Sequence, residues 1–420
     1  MRGLFIFRRD LRIRDNTALN ALAAQCDEIH TIFIFTPEQI GANNKFKSDR
    51  CVGFMIDCLE KLNSALHEKG GKLFTYHAHN VEIIEEFIKR CKIDIVGFNL
   101  DITPYARERD KSIMKLCESM RIKTCCAADY YLNEPGTIMR SNGEPYKKFT
   151  PYYNVAITKK FREPKTVSAK FANSNTCEVS RITLDYAKRE FVAANAQLEG
   201  KVNELSAYIK FGFLSIREVY KTKKNDDEFV RKLIWRDFYA NILYLFPDVL
   251  HKPMIAKYEK IKWSDDRNAL RKWCEGKTGF PIVDAGMREL NSTGIINNRN
   301  RMIVASFLVK VLHINWLLGQ QYFAKRLIDY DPASNNGNWQ WIASTGVDSQ
   351  PYFRMFNPWL QHKKFDKDCA YVKRWIPELS DVPARDILKW YDKHSEYNVY
   401  IAPIVDYDIQ KEITNKKWNI

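Results

Sequence analysis

All ten tryptophans of this chain lie beyond residue 230, and two of them, Trp339 and Trp341, flank a single Gln340. Indole packs in cores, stacks on flat ligands and takes part in one-electron redox chemistry. Core packing explains most tryptophans in a helical domain. At helical spacing, however, Trp339 and Trp341 point in different directions and cannot share one apolar face. Polar groups also recur in apolar surroundings: Arg236 in LIWRDF, Asn298, Arg299 and Arg301 in NNRNRM, and Asp329 with Asp331. An unpaired buried charge is expensive, so Arg301 with two acids downstream suits a buried Arg–Asp pair. A salt bridge that only pins helices is the equal alternative. These residues alone describe a helical domain that binds a flat aromatic ligand, with redox chemistry open to it, and a basic surface.

Charge agrees with that surface. Lysine and arginine number 66 against 51 acids, giving +15 and a pI near 9.2. Such an excess favours a polyanionic partner, because neutralised phosphates release condensed counterions. The ten cysteines are scattered, with one adjacent pair (Cys125, Cys126) and no C-x-x-C. That spacing argues against a disulfide framework and against a metal site, and it suits reduced thiols in an intracellular, non-secreted protein. The opening MRGLFIFRRDLR lacks a signal-peptide layout. The most apolar long segment, 302–318, is interrupted by Lys310, His313 and Asn315, so it reads as a buried helix rather than a membrane span.

The elements that must position these residues follow from periodicity. LFIF (4–7), TIFIF (31–35), LFTY (73–76) and IDIVGF (93–98) read as strands, with amphipathic stretches such as 54–68 between them. Alternation of that kind implies a parallel sheet with helices on both faces. No G-x-G-x-x-G follows the first strand, so a dinucleotide site of that type is unsupported. Residues 126–200, rich in Pro, Asn, Ser and Lys, read mostly as loop. From 201 onward the pattern is helical, notably over 229–245, 269–275, 282–292 and 301–318. The expected architecture is an α/β amino-terminal domain (1–125), a connector (126–200) and an all-α domain (201–420).

Longer motifs occur in order along the chain. They are FIFRRDLRIRDNTAL (5–19), GEPYKKFTPYY (143–153), LSAYIKFGFLSIREVY (205–220), LIWRDFYANIL (233–243), GKTGFPIVDAGMRELNSTGIINNRNRMIVASFLVK (276–310), LIDYDPASNNGNWQWIASTGVDSQPYFRMFNP (327–358) and YIAPIVD (400–406). Together they resemble the photolyase/cryptochrome family, and within it the class I-like cyclobutane pyrimidine dimer photolyases, nearly end to end.

The resemblance implies FAD, folded up inside the helical domain, with Tyr186, Leu205, Ser206, Arg236, Asn298, Arg301, Asp329, Asp331 and Asn335 around it. Arg301 would pair with Asp329. Asn335 matches the position facing the flavin N5, where blue-light receptors carry Asp or Cys; a neutral amide favours an enzyme using the two-electron-reduced anion. Trp339, Trp316 and Trp263 match the family's chain of three tryptophans, which carries electrons inward from the surface. Trp235 and Trp341 match the aromatic walls of the lesion pocket, and Asn298 and Met302 border the damaged bases. Relatives acting on the (6-4) photoproduct usually carry histidines at those two places, so Asn and Met point to the cyclobutane dimer. Arg299 and Arg354 would hold flanking phosphates. A linked dimer must leave the duplex to be reached, and aromatic walls replace its lost stacking at roughly 1–3 kcal/mol per base.

The pattern departs from the family at three places. Lys232 stands where dimer-repairing members carry a Glu bonded to the damaged bases. Val202-Asn203-Glu204 replaces small hydroxyl residues near the cofactor phosphates. Tyr105-Ala106 replaces the Asn-Glu pair of folate-antenna members, which leaves a deazaflavin or no second chromophore. The resemblance thus implies a monomeric, light-dependent repair enzyme acting on damaged DNA, a deoxyribodipyrimidine photo-lyase, with Lys232 in its lesion pocket. The alternatives are a cryptochrome-type blue-light receptor, a photolyase for another lesion, and a light-independent nucleic-acid-binding flavoprotein. Lys232 favours the receptor; the short extension after residue 406 speaks against it.

Overall fold

A computed structural model describes residues 1–193, 196 and 205–419. The chain divides into two compact units, Met1–Pro247 with Ile328–Ser334, and Asp248–Leu327 with Asn335–Ile420.

The first unit is built on a sheet of β1 (Arg2–Phe7), β2 (Glu28–Phe35), β3 (Leu73–His77), β4 (Ile95–Asn99), β5 (Lys123–Ala127) and β6 (Arg181–Ile182). Their order is β5-β4-β1-β2-β3-β6. All neighbours are parallel except β6, which runs antiparallel to β3. Strands buried on both faces need near-continuous apolar runs, and these supply them. On one face Leu4, Ile6, Ile32, Ile34, Phe74, Tyr76, Val96 and Phe98 share a core with residues of the helices Asn80–Cys91 and Pro104–Ser119. The alternate positions Gly3 and Gly97 meet Leu22 of the helix Thr17–Ala23. A Cβ on Gly97 would sit 3.0 Å from Leu22 Cδ2, so the missing side chain lets that helix close on the sheet.

The four strands expected from sequence are all present, with ends shifted by at most three residues. β5 was not anticipated: KTCCA has no apolar run, and its residues are exposed or half-buried. The segment 126–200 is more ordered than a loop, since it contains the helices Phe149–Ala156 and Leu184–Phe191 as well as β6.

The second unit is helical. The expected helices appear as Arg267–Glu275 and Pro281–Thr293, and the third, Asp227–Leu245, belongs to the first unit. One expectation is corrected: 301–318 is not a single helix. An α-helix covers Asn298–Ser306, a π-helical turn covers Phe307–Val311, and His313 takes a left-handed φ of 55°. A new helix, Trp316–Arg326, then starts behind Asn315, whose side chain accepts the Leu317 N–H. The cap and the left-handed residue turn the chain where apolar periodicity alone predicted continuity. Among the described residues no helix is long and apolar enough to cross a membrane, and no cluster of His, Cys, Asp and Glu could hold a metal ion.

Candidate functional site

In the first unit the chain leaves β1 as Arg8-Arg9-Asp10, beside the end of β4, where the strand order reverses. Open α/β sheets bind ligands at such a point. Arg9 reaches three partners from there: its Nε lies 3.0 Å from Asp101, its Nη1 2.9 Å from Asp331, and its Nη2 donates to Tyr131 Oη at 2.8 Å. Burial alone would raise the Asp331 carboxyl, but Arg9 and Arg236 outweigh it and hold the group down at about 2. The Ser334 N–H adds a bond to Asp331 at 2.9 Å. Arg236 donates to the Tyr130 carbonyl at 2.6 Å and lies 4.4 Å above the Tyr131 ring. Asp331 and Arg236 were anticipated; Arg9, Asp101 and Tyr131 were not, although an Arg-Arg-Asp directly after a strand is a visible signal.

Ser206, second in the helix Leu205–Lys210, donates from Oγ to Asp329 Oδ2 at 2.8 Å. Leu205 starts that helix and is half-buried, and Tyr186 is 40% exposed on the helix Leu184–Phe191. Val202, Asn203 and Glu204 lie outside the described residues. Arg301 belongs to the second unit and Asp329 to the first. The arginine paired with Asp331 is Arg9.

The helix Asp227–Leu245 is capped by Asp226, which accepts the Phe229 N–H, and it presents Lys232, Trp235 and Arg236. Lys232 is exposed and bound to Glu228 at 2.7 Å, one turn earlier. Trp235 is half-buried and lies parallel to Phe149, with centroids 3.7 Å apart and planes 4° apart.

In the second unit Asn335 and Trp339 stand one turn apart on the helix Pro332–Ala343. Asn335 Nδ2 donates to the Gln320 carbonyl at 3.1 Å, which leaves Oδ1 as the acceptor of that amide. Trp339 is buried, edge-on to Phe323 at 5.0 Å and to Trp273 at 6.3 Å. Trp341 is half-buried, so the two tryptophans do occupy different environments. Trp316 is buried, and Trp263 is half-buried with its ring 5.5 Å from Trp418. Trp316 makes no ring contact among the described residues, so hopping from Trp263 to Trp339 through it would bridge gaps wider than ring contact. Trp273, fully buried with its N–H on the Val304 carbonyl, is an aromatic neighbour that sequence reasoning missed.

On the helix Asn298–Ser306, Asn298 and Met302 lie one turn apart, with Nδ2 3.7 Å from the sulfur. Arg299 is exposed, 4.6 Å above the Phe365 ring, and Arg301 Nε donates to the Ile296 carbonyl at 2.8 Å. Arg354 is exposed.

A flavin requires a neutral acceptor or donor toward its ring nitrogens and several cationic or hydroxyl donors toward its polar arm. In the second unit Asn335 provides an oriented, uncharged acceptor of the kind a ring nitrogen needs. In the first unit Arg236, with donors beyond the one given to Tyr130, provides a cation of the kind the polar arm needs. Each fits the chemistry of the group.

Comparison with known proteins agrees with fold and chemistry. The architecture is that of the photolyase/cryptochrome proteins: a crystal structure of an archaeal photolyase from Sulfolobus tokodaii with two FAD molecules superposes with a TM-score of 0.90 at 38% identity, covering 100% of this chain and 99% of that one. A class III photolyase from Agrobacterium tumefaciens superposes at 0.88 with 27% identity, covering 99% and 96%. Residues 4–169 match the family described as DNA photolyase, and 229–419 match the FAD binding domain of DNA photolyase. The deoxyribodipyrimidine photo-lyase of Escherichia coli strain K12 is 36% identical over 453 residues, 96% of this chain and 95% of that protein. The chain belongs to the DNA photolyase family and carries its FAD-binding domain.

Proposed function

We propose that the chain is a light-dependent DNA repair enzyme, a deoxyribodipyrimidine photo-lyase that splits cyclobutane pyrimidine dimers. The observation that carries this reading is Asn335: a neutral amide, oriented by the Gln320 carbonyl, inside an FAD-binding domain. FAD, when bound, would supply light-driven one-electron chemistry for opening the cyclobutane ring with no net redox change. The protein supplies geometry and electrostatics. Asn335 accepts a hydrogen bond from the cofactor without adding charge. Tyr186, Leu205, Ser206, Arg236, Asn298, Arg301, Asp329 and Asp331 would hold it. Trp235 and Trp341 stack on the flipped-out bases, Asn298 and Met302 border them, and Lys232 donates to them. Arg299 and Arg354 bind flanking phosphates independently of sequence. Trp263, Trp316 and Trp339 would relay electrons inward from an external reductant toward the cofactor.

The protein works as an intracellular monomer in this reading, with its ten cysteines free. Its antenna, where present, is a deazaflavin or, following the two-FAD Sulfolobus structure, a second flavin. One observation favours a second reading, a cryptochrome-type receptor: Lys232 is exposed and engaged with Glu228.

The test is to reduce the purified protein, add an oligothymidine carrying a cyclobutane dimer, and follow the ultraviolet absorbance of intact thymine in blue light and in darkness. Recovery in light alone supports repair. Bound, photoreducible flavin without recovery moves the assignment to the receptor or to another lesion. Absence of bound flavin would overturn all of these readings, since each requires the cofactor.

A further inference from the structure

The contact between Phe149 and Trp235 is not required by either residue's own element. Phe149 opens the helix Phe149–Ala156, far in sequence from the helix Asp227–Leu245 that carries Trp235. The rings are nonetheless parallel at 3.7 Å. Isolated ring pairs prefer offset or edge-on contact, so a face-to-face pair is held by its surroundings. Those surroundings are specific. Phe149 is fully buried, and on it lies the Arg231 guanidinium, 4.8 Å from its centroid and 5.0 Å from the Tyr153 ring. Phe238 meets the indole edge-on at 5.6 Å, and Tyr239 lies tilted at 5.3 Å. The indole cannot rotate away, and one of its faces is taken.

We propose that Phe149 is a positioning residue for lesion recognition: it fixes the plane of Trp235 and reserves the opposite indole face for a flipped-out base, with Arg231 clamping the far side of the stack. This rests on the reading of Trp235 as a wall of the lesion pocket. A ring fixed before the ligand arrives loses no rotational freedom on binding, which improves affinity without a new contact. The benefit accrues only to a ligand that stacks, so it separates damaged from undamaged DNA.

The experiment is equilibrium binding in the dark by flavin-loaded Phe149→Leu, Phe149→Tyr and Trp235→Ala, with an oligothymidine carrying one cyclobutane dimer and its undamaged counterpart. Phe149→Leu is expected to weaken binding of the dimer by about 2- to 12-fold, the range of one aromatic pair, with undamaged DNA unchanged. Phe149→Tyr is expected to restore the preference. Loss of preference in Trp235→Ala but not in Phe149→Leu overturns the positioning role alone. No loss in Trp235→Ala overturns the lesion-wall reading beneath it. A parallel loss for both DNAs in Phe149→Leu also overturns the proposal. Should Phe149→Leu not fold, Arg231→Gln at an exposed position probes the same stack, and an unchanged damaged-to-undamaged ratio there counts against it.

Discussion

The Asn335 side chain donates to the Gln320 main-chain carbonyl at 3.1 Å, while the Gln320 side chain bonds the Leu250 carbonyl and the Asn336 amide. Gln320 therefore anchors the helix Pro332–Ala343 to its neighbours and sets which end of the Asn335 amide is free. Asn335→Asp would oppose two oxygens, lose a bond with a net value of about 0.5–1.5 kcal/mol and, in the proposed site, put a negative charge beside an anionic reduced flavin. The expected outcome is that the variant, illuminated with a reductant, no longer accumulates the two-electron-reduced cofactor. Absorption spectra check this; an unchanged reduced spectrum would remove Asn335 from its assigned role.

Gly319 makes room for Trp339. A Cβ there would fall 2.3 Å from Trp339 Cη2, 2.4 Å from Cζ3 and 2.7 Å from Leu308 Cδ2. Gly319→Ala is expected to cost about 1–3 kcal/mol by overpacking, read from the denaturant midpoint. It should also slow photoreduction severalfold, because the indole must shift. A normal photoreduction rate in a destabilised variant would show that Trp339 packs but does not conduct.

Lys232 tests whether the substituted family position is used. Its pairing with Glu228 is an exposed i,i+4 contact of about 0.3–0.5 kcal/mol, so Lys232→Glu should leave the unfolding midpoint nearly unchanged. Dimer splitting in light is expected to slow, since a donor is replaced by an acceptor. A faster rate in the variant would mark the lysine as a handicap.

Asp237 predicts a pH dependence. Buried, and accepting the Asn133 N–H at 2.8 Å, it is pushed up by burial to about 6, above its unfolded value of about 3.9. The folded state then binds the proton more tightly, so this stability is full below about pH 4 and is lost as pH rises through about 6. Asp237→Asn cannot ionise. Its stability relative to the native protein should rise by about 2 kcal/mol between about pH 4 and about pH 7, measured by urea unfolding at each pH. A pH-independent difference would contradict the raised carboxyl.

Much of the fold was legible because burial writes itself as apolar runs: LFIF, TIFIF, LFTY and IDIVGF became strands. KTCCA did not read as a strand because an edge position needs no such run. The break at His313 was hidden because Phe307–Val311 stay buried on every side, Lys310 included, so no polar face marks the turn. Long-range partners were the other loss. Arg236 and Asp331 stood out as polar residues in apolar settings, but nothing local to them names Arg9, and nothing near Trp235 names Phe149. Sequence spacing identifies residues that need partners; only the fold supplies them.

The ion pair between Arg9 and Asp331 also carries a schedule. On the ribosome, the ninth residue emerges 322 positions before its carboxylate partner, which appears only after the whole of Asp248–Leu327 has been made. The first unit therefore cannot be finished as an early, independent folding event, and a fragment ending at Pro247 would leave a buried guanidinium without one of its two acids. The first unit is complete only once Ser334 has been made, with Asn335–Ile420 of the second still to come.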